Sequence, residues 1–348
     1  MNAAALPLAA QLGPADTFSV DVHLGPVRRL AYRSLAAGQV TCVAHTGLAV
    51  GSAGVPLRAD AVATARTAEA ARQLALCRAV ARYAAGFWQP EVLCAHPVLP
   101  PHGRGPGPWV QMQVGDGGRQ VWMPAAQVFA PFRLGKEAVV GDADGLYCAP
   151  SLDQARQGAV DRQLMRRALQ PLWMALSRQR LVAADALPDA EGERDVVVSD
   201  ARGQSLAISF KWSLTGPPPY GVAGLGCAAH EAQAMALARS DRVNTEAQLA
   251  MQQAGVWGGR PEDLPPDMDP QVHALAWQQH GARAMAALLQ RWHARARPLA
   301  GPPPRAGLAW VDLTPPDVRQ MGLWVVRSLW LDGERARVSL PVPLSPRR

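Results

Sequence analysis

Residues 71–86 read ARQLALCRAVARYAAG, and this stretch sets the reading of the chain. Ala68, Ala71, Ala75, Ala79, Val80 and Tyr83 recur at intervals of three and four, the period of one helix face. The pattern predicts a helix over residues 60–85. Two further stretches follow the same rule: LDQARQGAVDRQLMRRALQPLW at 152–173 and GLGCAAHEAQAMALARSDRVN at 224–244. The first of these belongs to a helix over 151–177, with Ser151 as N-cap and Asp153 in its first turn. Pro171 lies inside it and predicts a kink or an early end. The other opens a helix over 231–253. A fourth helix is predicted over 270–297, capped by Asp269, with Pro270 at its first position and Val272, Leu275, Ala276, Met285, Leu289 and Trp292 on its apolar face.

Strand signals fill the intervals. Residues 18–22, 27–33, 40–45, 195–198, 205–210, 308–313 and 323–331 carry β-branched or aromatic residues between turn formers. GDGG at 115–118 separates two such runs, 109–114 and 119–123, as in a hairpin. Residues 97–108 and 298–305 are too rich in Pro and Gly for regular structure. The class is α+β, or mixed α/β, with no composition shift that marks a second domain.

Composition narrows the function classes. The chain has 348 residues, of which 49% are apolar and 18% charged, which excludes global disorder. No apolar run approaches the ~18 residues needed to cross a bilayer, and the N-terminus lacks the basic start of a signal peptide. The expectation is a cytoplasmic protein. Net charge is +7, and all but two of the 35 basic residues are arginine. These arginines are scattered, without the clustering and interleaved aromatics of a nucleic-acid surface, so no nucleic acid is expected. Five cysteines with no CxxC pair, and eight histidines with no ligand spacing, predict neither a disulfide framework nor a zinc site. Gly221, Gly224 and Gly226 precede the third helix. They fit either a phosphate cradle at its N-terminus or a tight turn between strand and helix.

The three helical stretches, taken in order, resemble the three helical motifs of the YcaO family. The family pattern is an Ala-rich helix with Glu-x-x-Glu-Arg, preceded in the second case by an Asn-Gly-Leu turn, here Asp144-Gly145-Leu146. LGPVRRL at 24–30 resembles the family's opening strand. VWMPAAQVF at 121–129 resembles its Val-Pro-Ala step, and AGLAWVDLTPPDVRQMGLWVVRSLWL at 306–331 resembles its C-terminal signature. The resemblance divides the chain into an N-terminal extension at 1–19, a YcaO-like domain at 20–340 and a Pro-rich tail at 341–348. It implies a cleft lined by three helices that binds ATP and Mg²⁺. There the amide oxygen of a peptide backbone is phosphorylated, and a Cys, Ser or Thr side chain or an external nucleophile then attacks. The products are azolines, thioamides or amidines in ribosomally made peptides.

Glu at i and i+3 with Arg at i+4 lies on one helix face, and Mg²⁺ takes hard oxygen ligands, carboxylates and phosphate above all. Here the glutamate positions of the first motif fall on Arg78 and Ala81, followed by Arg82. Those of the second fall on Arg162 and Met165, followed by Arg166. The third has Asp241 and Asn244. Two cations, a methyl and a thioether replace four carboxylates. Each guanidinium at ~4 Å would be unfavourable by about 1–4 kcal/mol per unit of positive charge at effective dielectrics of ~80 to ~20, and by twice that against a dication.

The implied role is a non-catalytic subunit of a peptide-modifying complex, a pseudoenzyme that needs neither ATP nor metal. The implied partners are a precursor peptide and an active YcaO protein or a leader-binding delivery protein, with a homo- or hetero-dimer as the assembly. An active cyclodehydratase with a rearranged site and a peptide-binding module outside azoline chemistry are the alternatives. The arginine cleft of Arg78, Arg162, Arg166 and Arg167 could hold an acidic leader. Trp310, Trp324 and Trp330 fit either an interface or the core. The tail prolines Pro341, Pro343 and Pro346 resemble an altered form of the Pro-x-Pro-x-Pro tail of azoline-forming relatives.

Overall fold

The structure, a computed structural model, describes residues 12–19, 27–35, 39–46, 51–52, 54, 61–95, 97, 107–115, 119–130, 132–134, 137–139, 145–178, 191–199, 205–213, 220–253 and 307–331. The predicted helix at 270–297 and the tail prolines lie outside these residues.

Among the described residues, three antiparallel sheets and three long helices carry the fold. The first sheet has the order β1 (Leu12–Ser19), β2 (Arg29–Leu35), β3 (Gln39–His45) and β4 (Ala61–Ala65). The second runs β10 (Leu146–Ala149), β15 (Trp324–Trp330), β14 (Leu308–Asp312), β6 (Trp109–Val114) and β5 (Leu93–Cys94), and β7 (Arg119–Pro124) pairs with β6. The third is β11 (Glu191–Ser199), β12 (Ser205–Ser213) and β13 (Tyr220–Ala228). A small hairpin joins β8 (Phe132–Leu134) to β9 (Glu137–Val139). The helices are α1 (Ala68–Ala85), α2 (Ala125–Val128), α3 (Leu152–Arg178), α4 (Glu231–Gln253) and α5 (Pro316–Gln320). The mixed α+β class expected from the sequence is the one observed.

Where the sequence predicts one helix over 60–85, the structure divides the segment. Residues 61–65 pair with β3 as β4, and Thr67 caps α1 by accepting from the Ala70 N–H at 3.2 Å. Alternating small residues, AVATA, satisfy a buried edge strand as readily as a helix face. The β3 partner and the Thr67 cap decide between them. α3 does not stop early at Pro171 but continues to Arg178. β1 occupies Leu12–Ser19, within the stretch assigned to the N-terminal extension.

Small side chains let helices close on sheets. Ala71, Ala75 and Ala79 of α1 are fully buried against Cys42, Ala44, Ala61 and Ala63 of the first sheet. On α4, Ala234 and Ala238 play this part against β13. There a Cβ on Gly224 would lie 2.0 Å from the Arg242 backbone nitrogen, and one on Gly226 would lie 2.0 Å from the Ala234 carbonyl. Both readings of these glycines from sequence are therefore corrected. They lie within β13 and make room for the α4 backbone, rather than forming a turn or a phosphate loop.

The turn before β10 is equally tight. Gly145 has φ +68°, and a Cβ there would meet the Ser328 carbonyl at 2.1 Å. The same carbonyl accepts from Gln163 Nε2 at 3.0 Å, which ties α3 to β15 beside the turn.

Candidate functional site

Each long helix follows an edge strand, and the three strand–helix pairs share one spacing. Val62 of β4, Leu146 of β10 and Leu225 of β13 are each followed five residues later by the residue before the helix, Thr67, Ser151 and His230. In all three cases that residue's carbonyl accepts the first helical bond, from Ala71, Ala155 and Ala234. Nine and thirteen residues after the strand position come fully buried alanines: Ala71 and Ala75, Ala155 and Ala159, Ala234 and Ala238. Sixteen residues after it comes a charged side chain that returns to the strand backbone. Arg78 Nη1 donates to the Val62 carbonyl at 2.9 Å, and Arg162 Nη1 donates to the Leu146 carbonyl at 3.1 Å. Asp241 Oδ2 accepts from the Leu225 N–H at 3.1 Å.

Among the described residues, β4, β10 and β13 are each the last strand of their sheet. An edge strand presents unpaired N–H and C=O groups. A guanidinium satisfies a carbonyl and a carboxylate satisfies an N–H, so the sign of each charge matches the backbone group it meets.

The three units close on one another in cyclic order. α1 packs on β10 of the second unit, α3 on β13 of the third, and α4 on β4 of the first. At the third junction Asn244 Oδ1 accepts the Thr64 N–H, and Arg78 Nη2 lies 3.8 Å from Asp241 Oδ1. At the first junction the thiols of Cys77 and Cys148 are hydrogen-bonded. That bond together with burial pushes Cys148 well above the usual thiol range. Tyr83, five residues beyond Arg78 on α1, donates to Asp317 Oδ2 at 2.8 Å, and burial and that carboxylate raise its phenol.

Among the positions singled out from sequence, the structure brings Arg78, Asp241 and Asn244 together at the junction of the first and third units. Arg162 turns to its own unit, with its guanidinium 5.3 Å from the Tyr147 ring. Ala81 is buried in the main core, Met165 and Arg82 are half-buried, and the side chains of Arg166 and Arg167 lie outside the described residues. Of the arginines expected to line a cleft, Arg78 and Arg162 each give one donor to strand backbone. The donor set does not suit Mg²⁺. The side chains of Arg78, Ala81, Arg162 and Met165 supply no oxygen, one Asp241 oxygen and the Asn244 oxygen accept from backbone N–H groups, and the other Asp241 oxygen faces Arg78. Trp310 and Trp330 are buried core residues, and Trp310 Nε1 donates to the Gly115 carbonyl at 2.9 Å. Trp324 is half-covered by Arg319, at 4.6 Å.

Sequence reading missed the common spacing and the polar bridge between α4 and the third sheet. Arg242 is buried, donates to Ser209 Oγ at 2.9 Å and Glu193 Oε1 at 2.5 Å, and lies 3.5 Å from Glu246. The signal was present: Arg242 falls four and eight residues after Ala238 and Ala234, on the face that meets the sheet.

No protein-family profile matches the chain, and no curated protein matches its sequence. Solved structures do. YcaO from Methanopyrus kandleri, bound with AMPPCP and Mg²⁺, is similar over 97% of this chain and 90% of its own, with a TM-score of 0.52 and 15% identity. A heterocyclase in complex with substrate and cofactor is similar over 92% of this chain, with a TM-score of 0.52 and 14% identity. The chain spans 49% of that structure's length. At these identities the likeness is one of fold: this chain is folded as the YcaO structures are.

Proposed function

We propose that the chain is a YcaO-like subunit of a complex that modifies ribosomally made peptides, and that it contributes binding and not ATP turnover. One observation carries the reading. Where the resemblance calls for metal-binding glutamates on the first two helices, Arg78 and Arg162 stand, and both guanidinium groups are bonded to edge-strand carbonyls. Phosphoryl transfer depends on positioned metal ions and charge neutralisation. The Methanopyrus YcaO structure holds AMPPCP and Mg²⁺, whereas the positions of this chain where the resemblance calls for glutamates carry guanidinium, methyl and thioether groups. The precursor peptide, an active YcaO partner or a delivery protein, and a dimeric or heteromeric assembly belong to this proposal.

The test has two arms. The purified chain is expected to release no phosphate from ATP, with or without precursor. Precursor-stimulated release would instead favour an active enzyme with a rearranged site. In reconstitution, the precursor, an active YcaO protein and a delivery protein are combined with and without this chain, and the peptide is weighed. Equal loss of water in both mixtures overturns the accessory role.

A further inference from the structure

We infer that Cys77 and Cys148 are a redox pair, and that its oxidation by a small-molecule disulfide staples α1 to β10 and so locks the first unit to the second. The two thiols are hydrogen-bonded across the junction of those units. Both residues belong to the main core. Cys148 is buried in it, at 6% exposure, and Cys77 packs against it half-buried. They lie 71 positions apart in the sequence, and it is the closing of α1 on β10 that brings them together. Cys42, by contrast, is sealed in the first sheet with Tyr32 as its partner.

The two thiols are unequal in a way that orders the chemistry. Disulfide exchange begins with a thiolate that solvent can reach. Cys77 is the more exposed of the two, and the hydrogen bond it accepts from Cys148 holds its thiol below the usual range. The same bond, with burial, pushes Cys148 up. The Cys77 thiolate attacks one sulfur of the external disulfide, and the other half leaves as a thiolate and takes up a proton. Cys148 then gives up its proton and attacks the Cys77 sulfur, displacing the second half as a thiol. The two protein thiols have lost two electrons and two protons, and the external disulfide has become two thiols. Burial confines Cys148 to the second step. The product closes a long segment of chain, which restricts the unfolded state, and adds a covalent tie to a junction made of core packing.

The inference involves neither nucleotide nor the replaced glutamate positions, so it stands or falls apart from the proposed function. The full chain is equilibrated with glutathione mixtures of increasing oxidised fraction, alkylated, and digested without reductant. Five free thiols are expected in the reduced protein and three after oxidation, with one cross-linked peptide pair joining residues 77 and 148. The cross-linked protein is expected to melt higher, by about 3 °C, and dithiothreitol is expected to restore the lower value. Cys148→Ser is expected to stop at a glutathione adduct on Cys77, and Cys77→Ser to take up no glutathione at Cys148.

Five free thiols after oxidation, a lasting glutathione adduct on wild-type Cys77, or a cross-link between any other pair overturns the inference. So does a 77–148 cross-link that leaves the melting temperature unchanged or lowers it. The peptide map and the melting comparison use the wild-type chain, so they decide the matter even if neither serine variant folds.

Discussion

At single residues, the decisive feature is how little space the structure leaves at particular positions. Gly224 and Gly226 sit where α4 crosses β13, and neither can carry a Cβ without moving helix backbone. Gly224→Ala is expected to destabilise the protein by about 1–3 kcal/mol or more, since overpacking against backbone cannot be relieved by a rotamer change. Chemical denaturation with an unchanged m-value checks it; a loss below about 0.5 kcal/mol would mean that α4 shifts freely. From sequence these glycines were legible as special but not as helix-packing residues, because a Gly-rich stretch before a helix reads the same whether it cradles a ligand or admits a neighbour. The replaced positions were legible too: Arg78, Arg162 and Asp241 were picked out as equivalent members of three motifs, and they fall at equivalent places. What they bond to was not, because the strand carbonyls that receive Arg78 and Arg162 lie sixteen residues back, in segments such as 61–65 that sequence reading gave to a helix or left without a strand.

At the level of elements, β2 and β3 hold a titratable pair. Burial raises the Tyr32 phenol from 10.0 to about 12, and burial likewise raises the Cys42 thiol from 9.0 to about 11. Both groups are favoured neutral in the folded state. Their contribution is fully present below the unfolded values and is lost as pH rises through about 9 to 12. The melting temperature is therefore expected to decline between pH 9 and 11, and Cys42→Ala, though less stable at pH 7, is expected to decline less steeply in that window. Equal slopes for the two proteins would show that the thiol does not govern the alkaline limb. The sequence placed these residues in two strand segments, 27–33 and 40–45, and Cys42 counted there only as one of five cysteines; nothing in it set the register that pairs Tyr32 with Cys42.

For the molecule as a whole, the cyclic packing of three strand–helix units makes each helix part of its neighbour's support. No unit can open without exposing the edge strand of the next. One cooperative transition is expected, with far-ultraviolet circular dichroism and tryptophan fluorescence superimposing. Two separated transitions would show that the units are independent. The α+β class and the order of the three motif helices could be read from alanine periodicity. The cyclic arrangement could not, because it depends on contacts between segments such as β4 and α4 that are far apart in the chain.

The bond from Thr64 to Asn244 also has a meaning in time. Its partners are separated by 180 residues. A ribosome adds roughly 5–20 residues per second, so Thr64 leaves the exit tunnel about 10–40 s before Asn244, on the helix that covers its strand, follows it out. Throughout that interval β4 presents open hydrogen-bonding groups to whatever lies nearby. Slowing translation between residues 65 and 244 is therefore expected to lower the soluble yield more than slowing it after residue 253, and equal yields would show that the uncovered strand does no harm.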